Sequence, residues 1–116
     1  MYIRVRARGT GADEAVADHA RRRLYYALMH RRDHVERVDV RLGGAATPRR
    51  PQERYCVIQV QLGGLPAATI VSIATSEREA IDGAADRAGG LVNGQILAAG
   101  RAIAGEGRRP AISPEP

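Results

Sequence analysis

Apolar and polar residues alternate strictly over residues 2–8, with Ile3, Val5 and Ala7 on one side and Arg4, Arg6 and Arg8 on the other. A repeat of two is the mark of a strand with one buried face, because successive side chains point to opposite sides. The stretch therefore predicts a strand whose outer face is basic. The period then lengthens. Ala12, Val16, Ala20, Leu24, Ala27 and Leu28 recur at helical spacing, leaving Glu14, Asp18, Arg21, Arg22 and Tyr25 on the far side, and predict a helix from about residue 11 to 30. Thr10 is placed to cap it, with Asp13 and Glu14 at the positive end of its dipole, and Asp18 and Arg22 stand four apart, ready to pair.

Alternation returns over residues 36–42, where Val38, Val40 and Leu42 point inward and Arg37, Asp39 and Arg41 outward. It appears again over 55–62, with Cys56, Ile58, Val60 and Leu62 inward and Gln59 and Gln61 outward. Residues 43–53, with their glycines, prolines and paired Arg49 and Arg50, read as a loop, whereas Gly63, Gly64 and Pro66 make a tight connection to a fourth strand over 69–75. Ser76, Glu77, Arg78 and Glu79 form a capping box, in which the serine hydroxyl and the Glu79 carboxylate satisfy each other's backbone N–H groups.

Behind that box, Ile81, Ala85, Ala88, Val92, Ile96, Ala99 and Ile103 carry one apolar stripe for about six turns. Gly83, Gly89, Gly90, Gly94 and Gly100 lie inside it, each costing roughly 0.8–1 kcal/mol relative to alanine. The far half is therefore expected to be loose, or to break near Gly89 and Gly90. No apolar period continues past Gly105, so residues 1–105 are expected to form one domain and 106–116 a disordered tail.

The order β-α-β-β-β-α predicts an α+β fold, a two-layer sandwich with both helices on one face of a four-stranded sheet and the other face open to solvent. Three consecutive strands favour an antiparallel meander. The first strand reaches the second through a helix, which allows parallel pairing.

Length and composition fit that picture. A chain of 116 residues suits a single core, and with no Phe, no Trp and four Tyr that core must be built from Ala, Val, Ile and Leu. The net charge is +5, and all 18 basic residues are arginine. An excess of this sign points to anionic partners, with nucleic acid first, and guanidinium groups suit bidentate phosphate contacts and stacking on bases. A codon bias toward Arg, Ala and Gly would produce the same excess. The single cysteine permits no internal disulfide, which fits a reducing compartment. No apolar run is long enough for a membrane span or a signal peptide, so a cytoplasmic protein without a membrane partner is expected.

Catalytic or metal chemistry is not legible. His19 and His30 lie eleven apart with no cysteine or carboxylate repeated beside them at ligand spacing, and His34 sits in a polar turn. Cys56 points inward, as a small hydrophobe does. Gly63 and Gly64 precede a strand, so they lack the helix N-terminus of a phosphate cradle. No catalysis, no metal and no cofactor are expected.

The arginines are the remaining candidates. Arg21, Arg22 and Arg23 span three sides of the first helix, and Arg78 and Arg87 lie on the second. Helices packed side by side would let them line a groove that neutralises phosphates and releases counterions. A solvated face partly balanced by Asp18, Asp82 and Asp86 is the competing reading. Arg4, Arg6 and Arg8 offer a rival platform on the open sheet face, placed below the helices because face arginines also serve solubility. Arg49 and Arg50 form a further basic loop.

Several local strings have a family likeness. They are the segment Ala80-Ile81-Asp82-Gly83-Ala84-Ala85-Asp86-Arg87, His19 with Arg23-Leu24 in an acidic-capped helix, the strand Val38-Asp39-Val40-Arg41-Leu42, and Arg54-Tyr55-Cys56 at the start of the third strand. Together, in this order over residues 1 to about 97, the chain resembles the ribosome hibernation-promoting factors and ribosome-associated translation inhibitors in their short form. The resemblance implies a double-stranded-RNA-binding-domain-like fold and a bacterial stress and stationary-phase function. Its target would be small-subunit ribosomal RNA at the decoding channel, where mRNA and tRNA would be blocked. Arg22 or Arg23 and Arg87, with Arg78 behind them, would be the RNA contacts. The chain departs from that family in two places: after Arg87 no base follows until Arg101, and Tyr25 and Tyr26 stand where a basic residue is expected. A non-ribosomal module that self-associates as a homodimer, through those tyrosines and the glycine-bearing face of the second helix, is the alternative.

Overall fold

Each alternating stretch becomes a strand and each helical stripe a helix. The computed structural model describes residues 1–8, 14–44 and 49–112, with side chains at positions 1–7, 14–44 and 49–100. The elements are β1 (Tyr2–Arg8), α1 (Glu14–Leu28), a 3-10 segment (Met29–His34), β2 (Val35–Gly44), β3 (Arg54–Leu62), β4 (Ala68–Ala74) and α2 (Glu77–Ile112). The expected helix start at residue 11, its Thr10 cap and the last four residues of the tail lie outside the described residues.

The four strands form one sheet in the order β1-β2-β3-β4. β1 pairs parallel with β2, with Val5 beside Val40 and Arg6 beside Arg41, and β2, β3 and β4 pair antiparallel. Both helices cover one face. There Val38, Val40, Leu42, Ile58 and Val60 meet Leu24 and Leu28 of α1 and Ile81, Ala85 and Val92 of α2. Parallel pairing puts the two apolar faces in phase, so the alternations of β1 and β2 agree about which side is inside.

Four expectations change. β2 begins at Val35, one residue early, because a bulge between Val35 and Arg37 lets Val35 and Val38 both point into the core although they are three apart. The capping box is half formed: Ser76 Oγ accepts the Glu79 N–H at 3.1 Å, but the Glu79 carboxylate accepts the Thr75 hydroxyl at 2.9 Å. Asp18 pairs with Arg21 at 3.1 Å instead of Arg22, the neighbour three residues along the same face.

The fourth change concerns α2 (Glu77–Ile112), which passes through Gly89 and Gly90 without a break. At Gly89 the reason is packing, since a Cβ there would sit 2.9 Å from the Ala27 carbonyl oxygen. The missing side chain lets α1 and α2 approach, so the position is used rather than merely tolerated. A helix of 36 residues is about 54 Å long and accounts for most of the 58 Å longest dimension.

Candidate nucleic-acid interface

The helix layer and the open sheet face both carry arginine, under different conditions. On the helix layer Arg23 leaves α1 and crosses to α2, where Nε donates to Asp82 at 2.9 Å and Nη2 to Asp86 at 2.7 Å. His19 reaches the same Asp82 oxygen at 2.7 Å. Burial works against the charged form of Asp82, but hydrogen bonds from Arg23 and His19, helped by their charges, outweigh it and hold its carboxyl below the usual value. The bonds to Asp82 and then Asp86 raise the pKa of Arg23 against a smaller opposing effect of burial. About two turns further along α2, Arg31 donates to Asn93 Oδ1 through Nε at 2.8 Å and through Nη2. These contacts stitch α1 and the 3-10 segment to α2.

The first-helix candidates therefore separate. Arg23 is spent on the helix seam and Arg21 is paired with Asp18, whereas Arg22 is exposed and has no acidic partner among the described residues. Arg78 is likewise exposed without one. Arg87 donates to the backbone carbonyls of Gly83 and Val71, so its charge is anchored at the β4 edge but not neutralised. Across α1 and residues 77–100 of α2, five arginines face six carboxylates. The helix pair is close to neutral.

The open face reverses that balance. Arg4, Arg6, Arg37 and Arg41 project from β1 and β2 around one carboxylate, Asp39. Asp39, largely covered, is held by Arg4 at 3.1 Å and Arg37 at 2.9 Å. Arg6 and Arg41, register partners on neighbouring strands, have no acidic partner among the described residues. Four arginines and one aspartate leave three positive charges on this patch. They surround a concavity of about 300 Å³ that Gln59 and Thr69 also line. A second hollow of about 260 Å³ lies between Arg6, Arg41, Ala7 and Tyr55.

Tyr55 owes its pose to a glycine. It stands opposite Gly43 in the β2–β3 pair, and a Cβ at Gly43 would overlap Cζ, Cε2 and the hydroxyl oxygen of the tyrosine. Gly43 is thus the flat seat on which the ring lies. Of the remaining candidates, Arg50 pairs with Glu53 at 3.4 Å and Arg49 is exposed, while the side chain of Arg8 lies outside the described residues. Cys56 is fully buried, and burial pushes its thiol up to about 12, which removes it as a nucleophile at neutral pH. No cluster of three metal-ligating side chains occurs among the described residues. No described helix is long and apolar enough to cross a membrane.

Arg37, Arg41 and Tyr55 are the residues that sequence reasoning missed as site candidates. The available signal was the outward alternation of Arg37 and Arg41, but only the parallel register of β1 on β2 sets Arg41 beside Arg6.

No family model matches the chain, and no curated protein matches it. Two solved structures are similar in fold. A ribosomal subunit interface protein from Coxiella burnetii superposes with a TM-score of 0.68 at 12% identity, covering 80% of this chain and 94% of that one. The N-terminal domain of Protein Y from Thermus thermophilus superposes with a TM-score of 0.65 at 23% identity, covering 79% of this chain and 96% of that one. The chain thus has their fold, a four-stranded mixed sheet with two helices on one face.

Proposed function

We propose that this chain is a ribosome-associated translation inhibitor, a cytoplasmic protein of the bacterial stationary-phase stress response. It binds small-subunit ribosomal RNA at the decoding channel and blocks mRNA and tRNA by occupying their place. The observation that carries this reading is the shared fold: one similar structure is a ribosomal subunit interface protein, and that likeness spans 94% of its chain. The net charge of +5, supplied entirely by arginine, supports an RNA partner. The buried Cys56 and the His19 ring, hydrogen-bonded to Asp82, support a role without chemistry.

On the helix layer, Arg22, Arg78 and Arg87 are the cations free of carboxylates and hence the ones that would meet phosphates. Arg21 and Arg23 would first have to leave Asp18, Asp82 and Asp86. Co-sedimentation with purified small subunits tests the proposal. The protein is expected with the subunits at low salt and released as salt rises, and recovery only from the light fractions at low salt would contradict it.

A second reading has an observation of its own. Tyr25 and Tyr26 are 44% and 66% exposed, stack edge to face with centroids 6.0 Å apart, and line a hollow with Met1 and Ile3. Gly90, Gly94 and Gly100 leave open space along α2. Self-association through these surfaces predicts a dimer in sizing experiments, and a monomer at high concentration counts against it.

A further inference from the structure

Arg6 and Arg41 are an anomaly of local design. Two like charges directly across a strand pair oppose folding by a few tenths of a kcal/mol up to about 1, and no acid among the described residues relieves them. Their neighbours Arg4 and Arg37 share the single Asp39. The spacing is regular, because adjacent strands lie about 4.8 Å apart and residues two apart on a strand roughly 6.6 Å. The result is a lattice of guanidinium groups over β1 and β2, and an anion with repeating charges would relieve its repulsion.

Tyr55 narrows the choice of anion. One face of its ring is seated on Gly43, and the ring borders the hollow that contains Arg6 and Arg41. Gln59 and Thr69, farther along the sheet, add an amide and a hydroxyl within the adjoining concavity. Charge, a pre-seated aromatic plane and neutral hydrogen-bonding groups on a four-stranded sheet are the elements with which proteins hold unstacked bases, about two or three per sheet. An acidic peptide would use the arginines but not the ring. A duplex keeps its bases stacked on one another and likewise gives the ring nothing to hold.

We propose that the open face of the sheet is a binding site for single-stranded RNA, with Arg6 and Arg41 on consecutive phosphates and a base stacked on Tyr55. This goes beyond the ribosomal reading, because the site is defined by the chemistry of one strand and lies on the opposite layer from the helix arginines.

Fluorescence anisotropy of the full chain with a labelled single-stranded RNA of roughly ten nucleotides, titrated at several salt concentrations, tests it. Arg6→Ala/Arg41→Ala is expected to weaken binding about tenfold and to lower the slope of log affinity against log salt by about 1.4, two phosphate contacts at roughly 0.7 each. Tyr55→Leu is expected to weaken binding about tenfold with the slope unchanged, and Tyr55→Phe to restore it. Arg32→Glu removes the same net charge from an exposed site in the 3-10 segment and should change affinity by no more than about twofold.

Wild-type affinity and slope in the double arginine variant would overturn the proposal. So would competition by polyglutamate as effective as by RNA, or equal binding of a duplex. The outcome is separable from that of the ribosome experiment. Co-sedimentation that persists while the oligonucleotide result fails removes this site alone. Arginine-dependent oligonucleotide binding without co-sedimentation retains the site and removes the ribosomal reading.

Discussion

Between α1 and α2, Arg23 is held by two carboxylates on the facing helix, and the whole layer balances five arginines with six acids. Across the core, on the open face of β1 and β2, Arg6 and Arg41 lie side by side with no acid, and Arg4 and Arg37 divide one. The same residue type therefore serves two ends. Where acids lie opposite, arginine is a structural tie. Where they are missing, it is stored positive charge. Counting basic residues per helix, as a sequence invites, leaves out the acids and so does not distinguish the two layers.

Substitutions should separate the two layers, and the largest effect belongs to the seam. Gly89→Val forces a side chain against the Ala27 carbonyl and is expected to cost about 2–3 kcal/mol, read as a lower denaturation midpoint. An unchanged midpoint would mean that the helices do not approach as described. Asp82→Ala removes the shared acceptor of Arg23 and His19. Because the carboxylate is about half exposed, the loss at neutral pH is expected near 1 kcal/mol.

The sign of its pH dependence follows from the depressed pKa of Asp82. The ionised carboxylate contributes stability above the unfolded carboxylate value, near 4, and that contribution fades as pH falls through the lower folded value. Wild type and Asp82→Ala should accordingly converge in stability in strong acid, and a gap that stays constant down to the acid limit would assign the effect to packing. On the sheet the direction reverses. Arg6→Ala/Arg41→Ala should leave stability unchanged or raise it by a few tenths of a kcal/mol, by removing a repulsion, and a loss above about 1 kcal/mol would show that these arginines support the fold. On the same face, Asp39→Asn frees Arg4 and Arg37 and should tighten single-stranded RNA binding about threefold with a steeper salt slope, and weaker binding would show that Asp39 orders the site.

Much of the fold was legible in the chain because one-sided burial writes itself into short periods. The alternation of Val38, Val40 and Leu42 with Arg37, Asp39 and Arg41 gave a strand and named both its faces. Val35 escaped because a bulge breaks the period at that point. Gly89 was legible only as a cost, since its benefit depends on where Ala27 lies, 62 positions earlier. The candidate site was less legible for the same reason. That Arg23 would meet Asp82, 59 residues away, and that Arg41 would stand beside Arg6, depend on register and packing between elements. Tyr55 became a candidate only once its pairing placed it on Gly43.

The proposal that the open face of the sheet contacts single-stranded RNA is tested most directly by two-dimensional NMR of the full chain, isotope-labelled and titrated with the single-stranded oligonucleotide. Backbone resonances of Arg6, Arg41 and Tyr55, and the guanidinium resonances of the two arginines, are expected to move together with increasing RNA, while Arg23, held by Asp82 and Asp86, stays in place. Shifts confined to Arg22, Arg78 and Arg87, with the sheet resonances unmoved, would contradict it.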